Sequence, residues 1–260
     1  MADRILFIGY CWGAAGSTWL ARLLNGHPDI FCVHNPQFPR FDYFKFEDLA
    51  EVIEHVFRHQ AWAGAYPVVG FTHGVALEWH GRIRQKYGDQ LRCFVLTRHP
   101  IMRIQSSYAL HVSRKAERST DSRWIEAYVQ TYQELVRLAR KKLPDDFESL
   151  AFYKSCAMVN SILAEHEQGL PLYRLEDLLS EEEAVQSLLA HISSGTCRLP
   201  SDVIETMQRT VVRGRAAQIR SAEETYASWR PEHREAYHYL VTGKALEVYR
   251  QVGYEFPHQT

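Results

Sequence analysis

Short apolar runs alternate with amphipathic segments along most of the chain. The first run, Ile5 to Ile8, has the length and composition of a buried strand. Further strand-like runs begin at Pro28, Tyr66, Leu91 and Pro171. Segments with helical spacing of apolar residues separate most of these runs. Strands that alternate with helices predict an α/β fold, in which a parallel sheet is flanked by helices.

Helical periodicity is found in several long segments, whose apolar residues recur every three or four positions. These segments are residues 46–60, 81–89, 101–110, 124–143, 152–166 and 180–192. The chain contains no internal repeat, low-complexity tract or obvious linker. A length of 260 residues suits one large α/β domain, so we predict a single domain over residues 1–260.

The first apolar run leads into a glycine-containing turn that ends in Ser17-Thr18, and a helical pattern starts at Trp19. Gly26, with Pro28 just beyond it, is a plausible end of this helix. A strand, a glycine-bearing loop and a helix start together direct backbone N–H groups and a helix dipole at one point. The segment is therefore predicted to hold a phosphate, as in a three-layer, P-loop-like sheet.

The residue before Ser17-Thr18 separates this loop from that of the nucleotide triphosphatases. Their pattern, GxxxxGK[ST], places a lysine there for the β- and γ-phosphates. This chain has Gly16 at that position. A small-molecule P-loop kinase is accordingly the less favoured interpretation, and no clear Walker B aspartate supports it.

Composition and charge narrow the possible partners. Hydrophobic residues make up 46% of the chain, charged residues 23%, and the formal net charge is -1. These are ordinary globular values, without the overall basic field that favours nucleic acid or an anionic membrane. The chain has 5 cysteines, scattered and without metal-ligand spacing, which favours a reducing, cytoplasmic setting and no metal site.

The sequence contains no segment typical of targeting or membrane insertion. The first ten residues run directly into the predicted first strand, without the apolar core of a signal peptide. No apolar stretch reaches the roughly 18 to 20 residues that a spanning helix requires. We therefore expect a soluble protein that is not bound to a membrane.

The stretch Gly16 to Leu20 resembles the second half of the loop of the sulfotransferase superfamily, which reads Pro-Lys/Arg-Ser-Gly-Thr-Thr-Trp. That loop binds the 5′-phosphosulfate end of 3′-phosphoadenosine 5′-phosphosulfate (PAPS). The first half differs, since small residues replace the proline, the basic residue and the serine. The resemblance implies that the cofactor is bound by Gly13, Ala14, Ala15, Gly16, Ser17, Thr18 and Trp19.

A second segment resembles the family's site for the 3′-phosphate, in which an arginine is followed by X-Pro and, eight positions on, by a serine. Arg98 and Ser106 have this spacing. An arginine fork and a hydroxyl can together bind a phosphate monoester. Farther on, Arg213-Gly214 is loosely similar to the Arg-Lys-Gly loop that closes over this phosphate, and a solvated charged face is the alternative for it.

Phe71 to Gly74 resembles the Lys-Thr-His segment, whose histidine is the general base; the resemblance implies this role for His73. His34 competes with it, because some bacterial relatives take their base from the loop after the second strand. The stretch from Leu172 to Leu179 is similar to the family's Arg-Tyr-Glu-Asp-Leu segment. The C-terminal run also ends in Gly-Tyr-Glu, as the family's closing helix often does.

Both cations that the family usually places near the transferring group are missing. Ala14 stands for the basic residue of the loop and Phe71 for the lysine of Lys-Thr-His. Loss of one such donor typically adds roughly 3 to 4 kcal/mol to a barrier. Candidate substitutes are Arg40, His34, Lys45, Arg103 and His111.

The resemblance implies transfer of a sulfuryl group from PAPS to a hydroxyl or amine of a small-molecule acceptor, with 3′-phosphoadenosine 5′-phosphate (PAP) as the product. The alternative is a catalytically impaired relative that binds PAPS or PAP and has a regulatory or binding role.

Overall fold

The computed structural model describes residues 4–11, 14–34, 66–72, 77, 80–117, 146–213 and 221–256, and a five-stranded sheet organises the first part of the chain. All pairings in this sheet are parallel, and the strand order is β2-β3-β1-β4-β5. The strands are β1 Ile5–Tyr10, β2 Ile30–His34, β3 Val68–Thr72, β4 Leu91–Thr97 and β5 Leu172–Arg174.

The chain divides into two compact units. Unit 1 comprises Met1–Cys11, Ala15–Thr97 and Gly169–Ala217, and unit 2 comprises Trp12–Ala14, Arg98–Gln168 and Gln218–Thr260. Both units are built from segments that are interleaved along the sequence. The prediction of one domain over the whole chain stays a prediction.

Unit 1 contains the sheet and the helices that pack on it. Among its described residues, the helices are α1 Ser17–Leu24, α2 His80–Tyr87, α6 Leu175–Ser180, α7 Glu182–Ser193 and α8 Ser201–Arg213. One face of the sheet, with Phe7 of β1, packs against apolar residues of all these helices except α2. The opposite face, with Leu6 and Ile8, packs against Ile83 of α2. Because the strands are buried on both faces, their sequences are continuous apolar runs rather than alternating ones.

Two connections leave the middle of the sheet in opposite directions. From β1 the chain continues to β2, beyond β3, whereas from β4 it eventually reaches β5 on the other side. The connections diverge between β1 and β4. In open parallel sheets, ligands bind at the carboxyl ends of the strands beside such a point.

The described part of unit 2 is helical. Its helices are α3 Pro100–Glu117, α4 Phe147–Met158, α5 Ile162–Glu167, α9 Ala222–Ala227, α10 Pro231–Leu240 and α11 Gly243–Gln251. An aromatic cluster forms part of the core: the ring of His233 stacks on Phe152 at 4.0 Å, and Trp229 meets Phe152 edge-on at 4.9 Å. Burial, and then the charge of Arg230, lower the pKa of His233 to about 4, so this histidine is neutral in the core.

The predicted α/β fold with a parallel sheet flanked by helices is confirmed. All five predicted strands are present. The helix predicted at 101–110 extends to Glu117, and the one predicted at 152–166 is two helices separated by a 3-10 turn at Val159–Ser161. The predicted helices at 46–60 and 124–143 lie outside the described residues.

Candidate functional site

All five strands of unit 1 end on a polar residue. Because the strands are parallel, these residues lie at one edge of the sheet, the carboxyl edge. They are Tyr10, His34, Thr72, Thr97 and Arg174. At the opposite edge, each of the five strands begins on isoleucine, valine or leucine. The polar chemistry of the strand ends is therefore concentrated at the edge where α1 begins.

Two of the described residues between β1 and α1 are in the left-handed backbone region. Gly16 has a φ of 93° and precedes the first residue of α1, and Ala14 has a φ of 55°. A Cβ atom at Gly16 would lie 2.6 Å from both Cδ atoms of Leu175, so any larger residue there would have to displace that buried side chain. An alanine with positive φ is uncommon and costs of order 1 kcal/mol, and such strain is concentrated at functional sites.

The first turn of α1 presents two hydroxyl groups, on Ser17 and Thr18. Gly16 caps the helix without a side-chain hydrogen bond to the first-turn N–H groups. Imidazole Nε2 of His34, the last residue of β2, lies 3.0 Å from Ser17 Oγ and 3.1 Å from Thr18 Oγ1. Amides, hydroxyls and an imidazole at a helix N-terminus are groups that can bind a phosphate or sulfate oxygen.

Thr72 connects the end of β3 to the same helix start. Its buried hydroxyl donates to the carbonyl oxygen of Ser17 at 3.2 Å. Thr72 also pairs with His34 in the register of β2 and β3. Asn25 fixes β2 from the other end of α1, since its side chain both donates to and accepts from the backbone of Cys32. The backbone that ends in His34 is thus paired with β3 and bonded to the Asn25 side chain.

Thr97, at the end of β4, is completely buried. Its hydroxyl has no hydrogen-bond partner among the residues that the structure describes. Buried hydroxyls are usually paired with protein, water or ligand. This group is a further candidate to contact something bound at the carboxyl edge.

Two predicted cofactor residues lie in the core of unit 1. Ala15 is fully buried, and Trp19 is 8% exposed with its indole N–H donating to the carbonyl of Met207 in α8 at 3.2 Å. Trp19 therefore connects the helix that begins at the loop with the helix that ends at Arg213. Its indole has a packing role in addition to whatever it contributes to a ligand.

Arg98 and Ser106 both belong to unit 2. Arg98 is half-buried and its guanidinium Nη1 donates to the carbonyl of Ala14 at 3.4 Å. Ser106 is half-buried on α3, about two helical turns from the start of that helix at Pro100. The arginine therefore contacts the loop residue at which the family usually has a cation.

The chain next to Arg98 is supported by a contact that the sequence did not indicate. Imidazole Nε2 of His99 lies 3.2 Å from the carbonyl oxygen of Glu255, and the ring packs 5.4 Å from both Tyr254 and Phe256. The Gly-Tyr-Glu ending noted in the sequence therefore packs against the residue that follows Arg98. The sequence analysis noted this ending only because it resembles that of a known family. Nothing in the sequence indicated that it would contact His99.

Arg103 is the candidate cation whose surroundings are best defined. It is fully buried, 3.8 Å from a carboxylate oxygen of Glu165, and donates to the hydroxyls of Tyr249 and Ser161. These partners give Arg103 a structural role in the core of unit 2. His111 lies half-buried on α3.

Several predicted residues have no described position. Gly13, His73 and Gly214 lie outside the described residues, as do the candidate cations Arg40 and Lys45. Arg213 is the last residue of α8. Their predicted roles stay predictions.

The pair Tyr10 and His80 is buried near the carboxyl end of β1. The tyrosine hydroxyl and imidazole Nδ1 are 3.1 Å apart. Burial is the main cause that raises the pKa of Tyr10 and lowers that of His80, with Arg84 lowering the latter further. Both groups are neutral near pH 7, which suits a core hydrogen bond.

One group of possible metal ligands occurs in the described part of the chain: donor atoms of His27, Asp29 and Cys197 lie within 4.8 Å of one another. His27 and Asp29 lie in the turn before β2, and Cys197 lies between α7 and α8. Imidazole Nδ1 of His27 already accepts the backbone N–H of Asp29 at 3.0 Å. The histidine thus has a structural role in the turn before β2.

Comparison with protein-family models gave no match, and no curated protein matches the sequence significantly. Within the described ranges, no helix combines the length and the apolar character that membrane crossing requires. The function must therefore be argued from the residues themselves.

Proposed function

We propose that the protein is a PAPS-dependent sulfotransferase that acts on a hydroxyl or amine of a small-molecule acceptor. The observation that carries the proposal is the start of α1, where Gly16 in the left-handed region precedes two hydroxyls that converge on His34. It supplies an anion site without a Walker lysine. Anchoring of Arg98 on the loop carbonyl of Ala14 supports a second anion site.

The proposal assigns one end of PAPS to each of the two sites. Ser17 and Thr18, with the amides of the first turn, would hold the 5′-phosphosulfate. Arg98 and Ser106 would hold the 3′-phosphate, which distinguishes PAPS from ATP. Trp19 and the loop residues Gly13 to Gly16 complete the proposed cofactor contacts, with Arg213-Gly214 as a lid that closes on binding.

The reaction is an in-line transfer. The bond between sulfur and the bridging oxygen of PAPS breaks, PAP leaves with the electron pair, and sulfur forms a bond to the acceptor oxygen or nitrogen. A general base, His73 or His34, takes the acceptor's proton. The protein contributes mainly positioning and charge stabilisation, as in phosphoryl transfer. The five cysteines are free and buried, which agrees with the reducing, cytoplasmic setting included in the proposal.

A second candidate function is binding without turnover. Its support is the absence of a loop cation at Ala14 together with the internal pairing of Arg103. In that case the protein binds PAP or PAPS as a regulatory ligand, and sulfuryl transfer is undetectable.

Calorimetric titration with PAP and with ATP tests the class of ligand. We expect PAP to bind at least about tenfold more tightly, because only PAP carries a 3′-phosphate for the Arg98 fork. Tighter binding of ATP would overturn the proposal. Transfer of labelled sulfate from PAPS to phenols, alcohols and amines then separates the enzyme from the binding protein.

The variant Arg98→Lys tests whether Arg98 binds the 3′-phosphate of the cofactor. We expect this variant to bind PAP about tenfold more weakly, since lysine lacks the fork, and to bind adenosine 5′-phosphosulfate, which has no 3′-phosphate, as the wild type does. Arg209→Lys, at an arginine that is 75% exposed, is the matched control. Equal losses for both ligands would show that Arg98 does not recognise the 3′-phosphate.

A further inference from the structure

A histidine, an aspartate and a cysteine of unit 1 each bring one ligand atom to the same place. The ligand atoms of His27, Asp29 and Cys197 all lie within 4.8 Å of one another. His27 and Cys197 are buried, whereas Asp29 is exposed. An imidazole nitrogen, a thiolate and a carboxylate are ligands of zinc. Magnesium and calcium prefer oxygen ligands, so a group that contains a thiolate is not suited to them.

We propose that His27, Asp29 and Cys197 bind one Zn²⁺ ion, with water as the fourth ligand. The site lies beyond the C-terminal end of α1, whereas Ser17 and Thr18 lie at its N-terminal end. A helix of eight residues is about 12 Å long. The zinc site is therefore separate from the proposed cofactor site and does not depend on the proposed function.

A turn that contains proline fixes the two ligands that precede β2. The N–H of Ile30 donates to the carbonyl oxygen of His27 at 3.3 Å, with Pro28 at the second position of the turn. Proline is favoured at that position of a β-turn. The N–H of Val68 in β3 donates to the carbonyl oxygen of Asp29 at 3.2 Å. The backbone of both ligands is therefore held in place without a metal.

The tautomer of His27 is the one that coordination through Nδ1 requires. Nδ1 accepts the backbone N–H of Asp29 at 3.0 Å. Because an N–H group can only donate, Nδ1 carries no hydrogen and has the lone pair that a zinc ligand needs. Zinc at Nδ1 would replace this N–H, which belongs to an exposed residue and can bond to water instead. Coordination therefore requires the exchange of one neutral hydrogen bond and no loss of a proton from the ring.

The segment that follows α7 fixes the backbone of Cys197. The backbone N–H of Cys197 donates to Ser193 Oγ at 3.0 Å, and the hydroxyl of Thr196 donates to the carbonyl oxygen of Ser193 at 2.8 Å. The sulfur itself lies 3.8 Å from Thr196 Oγ1, a weak contact that a zinc–sulfur bond would replace. The thiol is thus presented by an ordered turn.

The ligand atoms need only a small movement to enclose the ion. Zinc bonds of about 2.0 to 2.3 Å place the ligand atoms of a tetrahedral site roughly 3.5 Å apart. The exposed side chain of Asp29 can rotate, whereas the two buried ligands are packed. We expect the carboxylate to make the adjustment, with the water ligand on the same, exposed side.

Cysteine spacing in the sequence predicted no metal site. His27 and Asp29 are two positions apart, but Cys197 lies far along the chain, and the fold alone brings the three together. A zinc ion here would join the turn before β2 to the segment between α7 and α8. Because it would bind the folded chain, zinc should raise the unfolding temperature in a concentration-dependent manner.

Cobalt is the probe that reports a thiolate ligand. Co²⁺ replaces zinc in tetrahedral sites, and a cobalt–sulfur bond gives a near-ultraviolet charge-transfer band that histidine and carboxylate ligands alone do not give. The reduced, chelator-treated protein should show this band, bind about one Co²⁺ per chain and release it to Zn²⁺. Cys197→Ala should lose the band. Cys156→Ala, at another buried cysteine, is the control and should keep it.

Asp29→Asn tests the carboxylate without a change in the core, because Asp29 is exposed and the variant should fold as the wild type does. Its Zn²⁺ affinity, measured by competition with a chromophoric chelator, should fall at least about tenfold, since even outer contacts of metal ligands contribute that much. His27→Ala should lose at least as much. Asp202→Asn, at an exposed carboxylate of α8, is the matched control and should bind zinc as the wild type does.

Each outcome decides the proposal. A charge-transfer band that is absent from the wild type, or that persists in Cys197→Ala, shows that this cysteine does not bind the ion. A zinc affinity that is unchanged in Asp29→Asn or in His27→Ala overturns the three-ligand site. These measurements involve neither PAP nor PAPS, so failure of the zinc site leaves the sulfotransferase proposal untouched. Tighter binding of ATP than of PAP, in turn, leaves the zinc site intact.

Discussion

Gly16 shows how one residue can shape the loop. Its φ of 93° is accessible to glycine at little cost, and the space that a side chain would need is occupied by Leu175 of α6. The sequence identified Gly16 as part of a phosphate loop. It did not identify Leu175 as the neighbour, because that contact joins positions far apart in the chain.

Gly16→Ala should lower the free energy of unfolding by about 2 kcal/mol, because alanine is strained in the left-handed region and its methyl group clashes with Leu175. The variant should also bind PAP more weakly, because the clash displaces Ser17. Gly81→Ala is the matched control. Gly81 lies in α2, where an added methyl group would extend into open space, so alanine there should be neutral or stabilising by up to about 1 kcal/mol. Chemical denaturation and calorimetry measure both effects. Equal stability of the two variants would contradict the steric argument.

His34 marks the limit of prediction at the same scale. The sequence placed it in competition with His73 for the role of base and assigned it to the loop just after the second strand, whereas it is the last residue of β2. Its contacts with Ser17 and Thr18 were not predictable, since they depend on the order of strands in the sheet. Hydrophobic periodicity identifies strands and carries no information about which of them are neighbours.

Among the elements, α3 combines a predicted role with one that the sequence concealed. Ser106 was predicted to bind phosphate, whereas Arg103, one turn earlier, was a candidate cation for catalysis. Arg103 is instead buried with Glu165 of α5 and bonded to Tyr249 of α11, and so connects three helices of unit 2. A single arginine within an amphipathic pattern does not reveal a partner so distant in sequence.

Glu165→Leu should therefore lower the free energy of unfolding by about 3 kcal/mol, because it leaves a buried guanidinium without its counter-charge. The double variant Arg103→Met with Glu165→Leu should recover about half of that loss or more, since no buried charge remains. Urea denaturation of the two single variants and the double variant measures the coupling.

Glu247→Gln is the control for this pair. Glu247 bonds to Arg250 on the surface, where the two side chains are 59% and 43% exposed, and its loss should change stability by less than about 0.5 kcal/mol. If Glu165→Leu costs as little as this control, Arg103 is not held by a buried ion pair.

For the molecule as a whole, the fold class was predictable because each strand is an apolar run bounded by turn residues. The break between α4 and α5 was not, since the residues around Val159 continue the helical pattern without a proline or glycine. Two of the predicted anion sites have described side chains, at Ser17 and Thr18 and at Arg98 and Ser106. The assignment of PAPS to them depends on resemblance and on the experiments above.

The five cysteines allow a test of the whole molecule. All are free and buried, burial raises the pKa of Cys93 to about 12, and thiolate is the species that reacts with disulfide reagents. In the native protein, less than about one equivalent of cysteine should therefore react with a disulfide reagent within minutes. All five cysteines should react once the protein is unfolded in guanidinium chloride. Ser180→Cys, at an exposed position, should add one fast equivalent. Rapid reaction of several native thiols would contradict the burial of these residues.

The central strand also has a consequence for how the chain folds. β1 is the first of the five strands to be synthesised, yet its partners are β3, beginning at Val68, and β4, beginning at Leu91. Its apolar residues stay without a neighbouring strand until β3 has left the ribosome, and one edge of β1 stays unpaired until β4 follows. Parallel pairing of strands so far apart in sequence requires long loops to close, and the chain loses conformational entropy before the stabilising contacts form. Folding is therefore expected to be slow compared with that of a helical bundle. The strand that leads into the proposed cofactor loop is thus the one most exposed to misassociation in the newly made protein.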